Sequence, residues 1–179
     1  AVILSAQTTD NGVNKVTPAL FKAYPTPAAL SKAKISDIEK IIKTLGYYHS
    51  KAKYIKESAE ILVKDFRGTV PKTSEEIQRL RGVGRKSAVA ILSNAYKQNI
   101  GIPVDTHVIR FVKRFGLSKK TDPSKIEQEL LNLIPKKDWK RAGYAIKEYG
   151  RKEGKALGYK KDLDPLVKAL EAYAKKRKK

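Results

Sequence analysis

The stretch Leu80-Arg81-Gly82-Val83-Gly84-Arg85-Lys86-Ser87-Ala88 decides how this chain is read. Before it, Thr73-Ser74-Glu75-Glu76 has the form of a capping box and opens a short helix that ends at Leu80. After it, Ala88, Ile91, Leu92 and Ala95 recur at helical spacing, so a second helix begins near Arg85. Gly82 and Gly84 break the chain between the two. Glycine permits the positive φ angles of a tight hairpin, and the missing side chains let backbone approach a flat anionic surface. The N–H groups that open the second helix would then face a phosphate, helped by the helix dipole. On the glycines alone, an ordinary helical hairpin is the simpler reading. Lys86 sharpens the case. It stands in the first turn of a helix, where a cation is electrostatically disfavoured. Those surroundings favour the neutral amine that a Schiff-base nucleophile requires. A plain phosphate-contacting lysine is the alternative.

Nineteen residues further on, Asp105 follows the apolar Ile102-Pro103-Val104 and precedes Thr106-His107. An aspartate in this setting serves first as a helix N-cap. A second role is compatible with the cap. A carboxylate at a cleft can stabilise positive charge developing at a sugar C1′, as carboxylates do in glycoside hydrolysis.

Outward from this centre the pattern is helical nearly throughout. Asp10 is expected to cap a helix whose apolar face carries Val13, Val16, Leu20 and Phe21. Thr26-Pro27 and Asp122-Pro123 read as caps followed by proline in the first turn. Ser36-Asp37-Ile38-Glu39 reads as a capping box, with Gly46 ending its helix. A longer helix covers about Ser50 to Asp65, with Ala52, Ile55, Ala59, Ile61 and Leu62 inward. Asp105 opens a helix to Phe115, Lys137 to Tyr149 is helical, and Asp164-Pro165 opens the last helix. The fold class is all-α, two helical lobes with a helix-hairpin-helix motif and a cleft between them. The lobes are expected over residues 1–98, a six-helix-type lobe with the helix-hairpin-helix at about 74–97, and over 99–179.

Bulk properties narrow the partners. The 179 residues carry 39 Lys+Arg against 18 Asp+Glu, a net charge of +21, so the chain seeks polyanions. Lysine used as a generic solubilising residue is the alternative. Hydrophobic residues make up 41% of the chain, enough for a real core. No apolar run approaches a membrane span, and Ala1-Val2-Ile3-Leu4 turns polar at Ser5, unlike a secretory signal. There is no cysteine, which excludes disulfides, zinc thiolate sites and iron–sulfur clusters. The two histidines, His49 and His107, do not make a metal site by themselves. Methionine is absent as well, so the sequence reads as edited or designed.

The block from Leu80 to Ala88 and the block Val104-Asp105-Thr106-His107-Val108-Ile109-Arg110 closely resemble the helix-hairpin-helix, Gly/Pro-Asp superfamily of DNA glycosylases. Within it, the resemblance is to endonuclease III. It extends to Leu4-Ser5-Ala6-Gln7-Thr8-Thr9-Asp10 and to Leu45-Gly46-Tyr47-Tyr48-His49-Ser50-Lys51-Ala52. The resemblance implies that Lys86 is the catalytic lysine, which attacks C1′, and that Asp105 is the catalytic aspartate. It implies that Gln7 fills the gap left by a flipped base and that Tyr47 lies in the loop that wedges the opposite strand. An aromatic at Tyr47 resembles the adenine-removing relatives, which lack the lysine. His107 falls near the cleft, where support of Asp105 is preferred to proton transfer. With His49, Gly82, Val83, Gly84, Arg85 and Ser87, these residues form the expected DNA-contacting set.

The implied function is base-excision repair by a bifunctional glycosylase and AP lyase acting on oxidised pyrimidines. Its partner would be double-stranded DNA with a damaged base or an abasic site, with no membrane and a monomeric state. A cytoplasmic location follows, nucleoid-associated in a prokaryote. Rivals are a monofunctional mismatch glycosylase for adenine, uracil or thymine, and a non-catalytic, engineered helix-hairpin-helix DNA-binding protein. Two departures stand out. The family binds a 4Fe–4S cluster through cysteines after a Gly-Arg, but here Gly150-Arg151 is followed by no cysteine, so no cofactor is expected and packing must hold the second lobe. The family also has an N-terminal helix before the position of Ala1. An amphipathic, basic helix from Leu163 to Lys176 is expected either to take its place or to stand as a simple basic tail helix.

Overall fold

Side-chain caps start most of the helices, and they set where the elements begin. The computed structural model describes residues 1–152 and 164–168. Those residues are helical and contain no strand. The chain divides into two units, Ala1–Ile100 and Gly101–Lys179. The first holds α1 (Asp10–Ala23), α2 (Pro27–Ser31), α3 (Ile35–Ile42), α4 (Tyr48–Phe66), α5 (Ser74–Gln78) and α6 (Arg85–Ala95), preceded by a 3₁₀ turn at Ile3–Ser5. The second holds α7 (Thr106–Arg114), α8 (Pro123–Leu133) and α9 (Trp139–Lys152), with a 3₁₀ turn at Lys136–Asp138.

Thr26, Thr73 and Asp122 cap α2, α5 and α8 by accepting backbone N–H groups of Ala29, Glu76 and Lys125. Each such cap contributes about 0.5–2 kcal/mol. The Thr73 hydroxyl also donates to the Glu76 carboxylate at 2.8 Å. Two expected starts are corrected. Thr9, not Asp10, is the N-cap of α1, and its hydroxyl accepts from Gly12 N. The box at Ser36-Asp37-Ile38-Glu39 does not form. Helix α3 already begins at Ile35, so those four residues lie inside it and their side chains are past the cap position. That helix stops at Ile42, and Gly46 belongs to the turn before α4.

Two apolar clusters fill the first unit. Leu4, Val16, Leu20, Ile38, Ile42, Ala52 and Ile55 form one, and Ile77, Leu80, Val83, Ala88 and Leu92 form the other. Phe21 does not join them. It is 51% exposed, because position 21 falls beside the stripe of Val13, Val16 and Leu20 rather than on it. In the second unit Ile102, Val104, Val108, Val112, Ile126, Leu130 and Ile146 make the core. Trp139 packs against it and donates from its indole nitrogen to the Ile134 carbonyl at 2.8 Å.

Helices α7 and α9 approach closely through a glycine. A Cβ on Gly150 would lie 2.6 Å from His107 Cβ, well inside van der Waals contact. Nearby, the rings of Phe111, Phe115 and Tyr149 pack tilted and edge-on at centroid distances of 4.7, 5.3 and 5.8 Å. The Tyr149 hydroxyl accepts from Arg114 Nη1 and donates to the carboxylate of the buried Asp164. Burial and that carboxylate push the Tyr149 hydroxyl up to about 12, so it stays a donor. Asp164 in turn caps the residues after it, accepting from Leu166 N and Val167 N. The expected helix from Leu163 to Lys176 lies mostly outside the described residues. Its described part, 164–168, is tied to α9 through this contact.

Gly150→Ala tests the close approach. The added methyl has to part α7 from α9, at a cost of about 1–3 kcal/mol. Thermal denaturation is expected to show a lower Tm, and an unchanged Tm would contradict the packing described.

Candidate nucleic-acid interface and catalytic residues

Helix α4 carries the bracket from which the α5–α6 hairpin hangs. Gly82 has φ +75°, a conformation natural to glycine. A Cβ there would also meet the Tyr54 ring at 3.0 Å and Ile3 at 3.3 Å. Beside it, the Ser58 hydroxyl donates to the Arg81 carbonyl, and Arg81 Nε donates to Glu57 at 3.0 Å. The turn closes with Val83 N–H donating to the Leu80 carbonyl at 3.2 Å, and the Val83 side chain is buried in the hairpin core. The Val83 side chain is thus a plug that closes the turn, and its N–H is used within the turn.

The far side of the turn opens α6. Gly84 is its N-cap and supplies no side chain, so no capping oxygen satisfies the first amides. The first helical bond in this turn is Ala88 N–H to Gly84 O. The N–H groups of Arg85, Lys86 and Ser87 are the ones a helix start leaves over. Lys86 is exposed, and among the described residues its ammonium makes no ion pair or hydrogen bond. Arg85 differs from the expected phosphate contact. Its guanidinium is turned to the protein, donating to Ser74 Oγ and to the Ile100 carbonyl, each at 3.1 Å.

Asp105 is in the second unit and is the N-cap of α7. Its Oδ1 accepts from His107 N at 2.9 Å and Val108 N at 3.0 Å. Among the described residues Oδ2 makes no hydrogen bond, so one carboxylate oxygen fixes the group and the other is left for a ligand. His107 supports Asp105 through its backbone N–H, not through its ring. The ring is half-buried against Gly150, with Nδ1 3.0 Å from Arg110 Nη2.

Gln7 and Tyr47 come together in the first unit. Both are exposed and both hold left-handed backbone, with φ of +50° and +58°. Tyr47 is 69% exposed, unusual for so large a ring. Non-glycine residues held this way cost of order 1–3 kcal/mol each and are kept where surroundings enforce them. They line one cavity of about 300 Å³ with Ile3, Ala6, Ser50, Lys51, Tyr54 and Gly82. His49, two residues along, is exposed and paired with Glu39 at 2.7 Å.

Lys51 was not among the residues singled out from the sequence. It is 3% exposed, and its ammonium donates to Thr8 Oγ1. Its signal was its place on the inward stripe of α4, four residues before Ile55 and seven before Ser58, both buried. Burial lowers its amine below the usual value of 10.5.

Comparisons with known proteins show the family. Residues 1–136 match the HhH-GPD superfamily base excision DNA repair protein family. Endonuclease III of Synechocystis sp. is 46% identical over 151 residues, covering 84% of this chain and 69% of the relative. Endonuclease III of Bacillus subtilis is 38% identical over 160 residues, covering 87% and 71%. Among solved structures, a trapped endonuclease III–DNA covalent intermediate superposes with TM-score 0.87 at 36% identity, covering 92% of this chain and 78% of that one. A thermostable thymine-DNA glycosylase shares the fold at TM-score 0.80 and 24% identity. The chain belongs to the HhH-GPD superfamily of base excision DNA repair proteins. A cysteine-ligated 4Fe–4S cluster does not fit it. The sequence has no cysteine, and among the described residues no three His, Asp or Glu side chains group to hold a metal.

The buried Lys51 makes a pH-dependent prediction. The unfolded chain holds this proton more tightly than the folded one, so the burial penalty is relieved as pH rises toward 10.5. Lys51→Met removes the penalty at every pH. Its Tm is expected to equal or exceed that of the parent at pH 7, with the difference moving in the parent's favour as pH approaches 10. Melting curves across that range check it, and a difference independent of pH would contradict the assignment.

Proposed function

We infer that the protein is a bifunctional DNA glycosylase and AP lyase that removes oxidised pyrimidines from duplex DNA. The observation that carries this reading is Lys86, an exposed ammonium without a protein partner on the first turn of an uncapped helix. A purely structural or phosphate-binding hairpin has no need of an unpaired nucleophile in a chain that also carries Asp105 with one carboxylate oxygen unused.

The parts divide the work as follows. The first amides of α6 take a backbone phosphate, and the net charge of +21 draws the polyanion in. A base inside a duplex shields its C1′, so the nucleotide has to leave the stack, at a cost of a few kcal/mol. Gln7 and Tyr47 offset that cost by filling the gap and wedging the opposite strand. Lys86, as the neutral amine, attacks C1′ while the bond from C1′ to the base breaks and the base departs with the electron pair. Asp105 stabilises the positive charge that develops at C1′. Loss of a proton and ring opening give the Schiff base. Removal of a C2′ proton then expels the 3′ phosphate and nicks the strand.

Duplex containing thymine glycol or an abasic site, incubated with borohydride, tests this. A covalent adduct is expected, and it disappears in Lys86→Ala. Asp105→Asn keeps a capping oxygen, so the fold survives, while base release falls by about 10²–10³-fold. Base loss without any adduct would replace this reading with a monofunctional glycosylase, and binding without either would leave a non-catalytic DNA-binding protein.

A further inference from the structure

Lys51 is the one lysine of the first unit whose side chain is nearly sealed from water. Such burial of an ammonium is costly unless something in the fold depends on it. The residues lining its cavity include no carboxylate to offset the charge. What Lys51 does touch is informative. Its ammonium donates to the Thr8 hydroxyl, and that hydroxyl donates to the Ala6 carbonyl at 3.3 Å. Gln7 lies between those two residues, at φ +50°. The backbone N–H of Lys51 donates to the Tyr47 carbonyl at 3.0 Å. Tyr47 is itself at φ +58°. The Lys51 side chain therefore holds Thr8, the neighbour of Gln7, from the first turn of α4, whose opening backbone bond runs to Tyr47. The two loops also abut, since a Cβ on Gly46 would sit 4.0 Å from the Gln7 carbonyl oxygen.

We propose that Lys51 is a positioning residue that locks the Gln7 turn to the Tyr47 loop, so that the two side chains enter the duplex as one rigid unit. The proposal rests on the reading that Gln7 and Tyr47 invade the stack. A strained turn held by one hydrogen-bonded ammonium is a way to fix a side chain on an exposed loop, where packing is too thin to do it. The cost falls on stability and the return falls on the geometry of insertion. Lys51 itself does not touch the reacting atoms.

The test separates insertion from chemistry. Single-turnover borohydride trapping is measured on an abasic site in a duplex and on the same site in a single strand, where there is no stack to invade. A 2-aminopurine beside the lesion reports unstacking in the duplex. For Lys51→Met, trapping on duplex is expected to fall by up to about 10²-fold, the scale of a misplaced catalytic contact. The 2-aminopurine signal falls with it, while single-strand trapping and Tm hold. Thr8→Val, which removes the acceptor and leaves the lysine, is expected to do the same, and the double variant to be no worse than either single one. Equal losses on both substrates would make Lys51 merely structural and overturn the proposal, as would full activity on both. If Lys51→Met does not fold, the split in Thr8→Val decides alone. Gln7→Ala distinguishes the two levels. If it shows the duplex-specific loss and Lys51→Met does not, only the positioning role fails. If Gln7→Ala shows no such loss, the invasion reading fails and takes this proposal with it.

Discussion

The left-handed turn at Gly82, pressed against the ring of Tyr54, sets the position of everything chemical in the first unit. A side chain at that point would meet both an unfavourable φ and an aromatic ring, so the hairpin closes only with glycine there. Once closed, it buries Val83, spends the Val83 N–H on Leu80 and starts α6 at Arg85 with no capping side chain. The amides a ligand could use and the unpaired Lys86 are consequences of that closure. Helix α4 enforces it from one side through Tyr54, Ser58 and Glu57, and the same helix carries Lys51 and Tyr47 at its start.

Much of this was legible in the sequence because caps and glycines act locally. Thr73 and Glu76, Thr26-Pro27 and Asp122-Pro123 place helix starts by short-range hydrogen bonds, and the helices begin where those residues put them. Asp105 is an N-cap for the same reason. Where several residues competed for one role, tertiary contacts chose. Thr9 took the cap next to Asp10, and Ser36 lost its role to a helix that started at Ile35.

What was hidden was whatever depends on a distant partner. A lysine on an amphipathic helix normally sends its charge to water, and only the Thr8 loop, 43 residues earlier in sequence, makes the inside of this fold a place for Lys51. Arg85 beside Lys86 resembles a phosphate ligand in sequence, yet Ser74 and Ile100 claim its guanidinium. Left-handed backbone at Gln7 and Tyr47 has no marker in residue type, since neither is glycine or asparagine. The second unit differs again. Without cysteines it relies on close helix contact at Gly150 and on the Tyr149–Asp164 hydrogen bond, neither of which a residue pattern announces.

Lys86 as the nucleophile is the central claim, in a chain that offers many other amines. The most direct measurement is to reduce the enzyme–DNA adduct with borohydride, digest it, and locate the sugar by mass spectrometry. A single modified peptide with the sugar remnant on Lys86 is expected. A remnant on Lys51, on the amino terminus or spread over several lysines would contradict it.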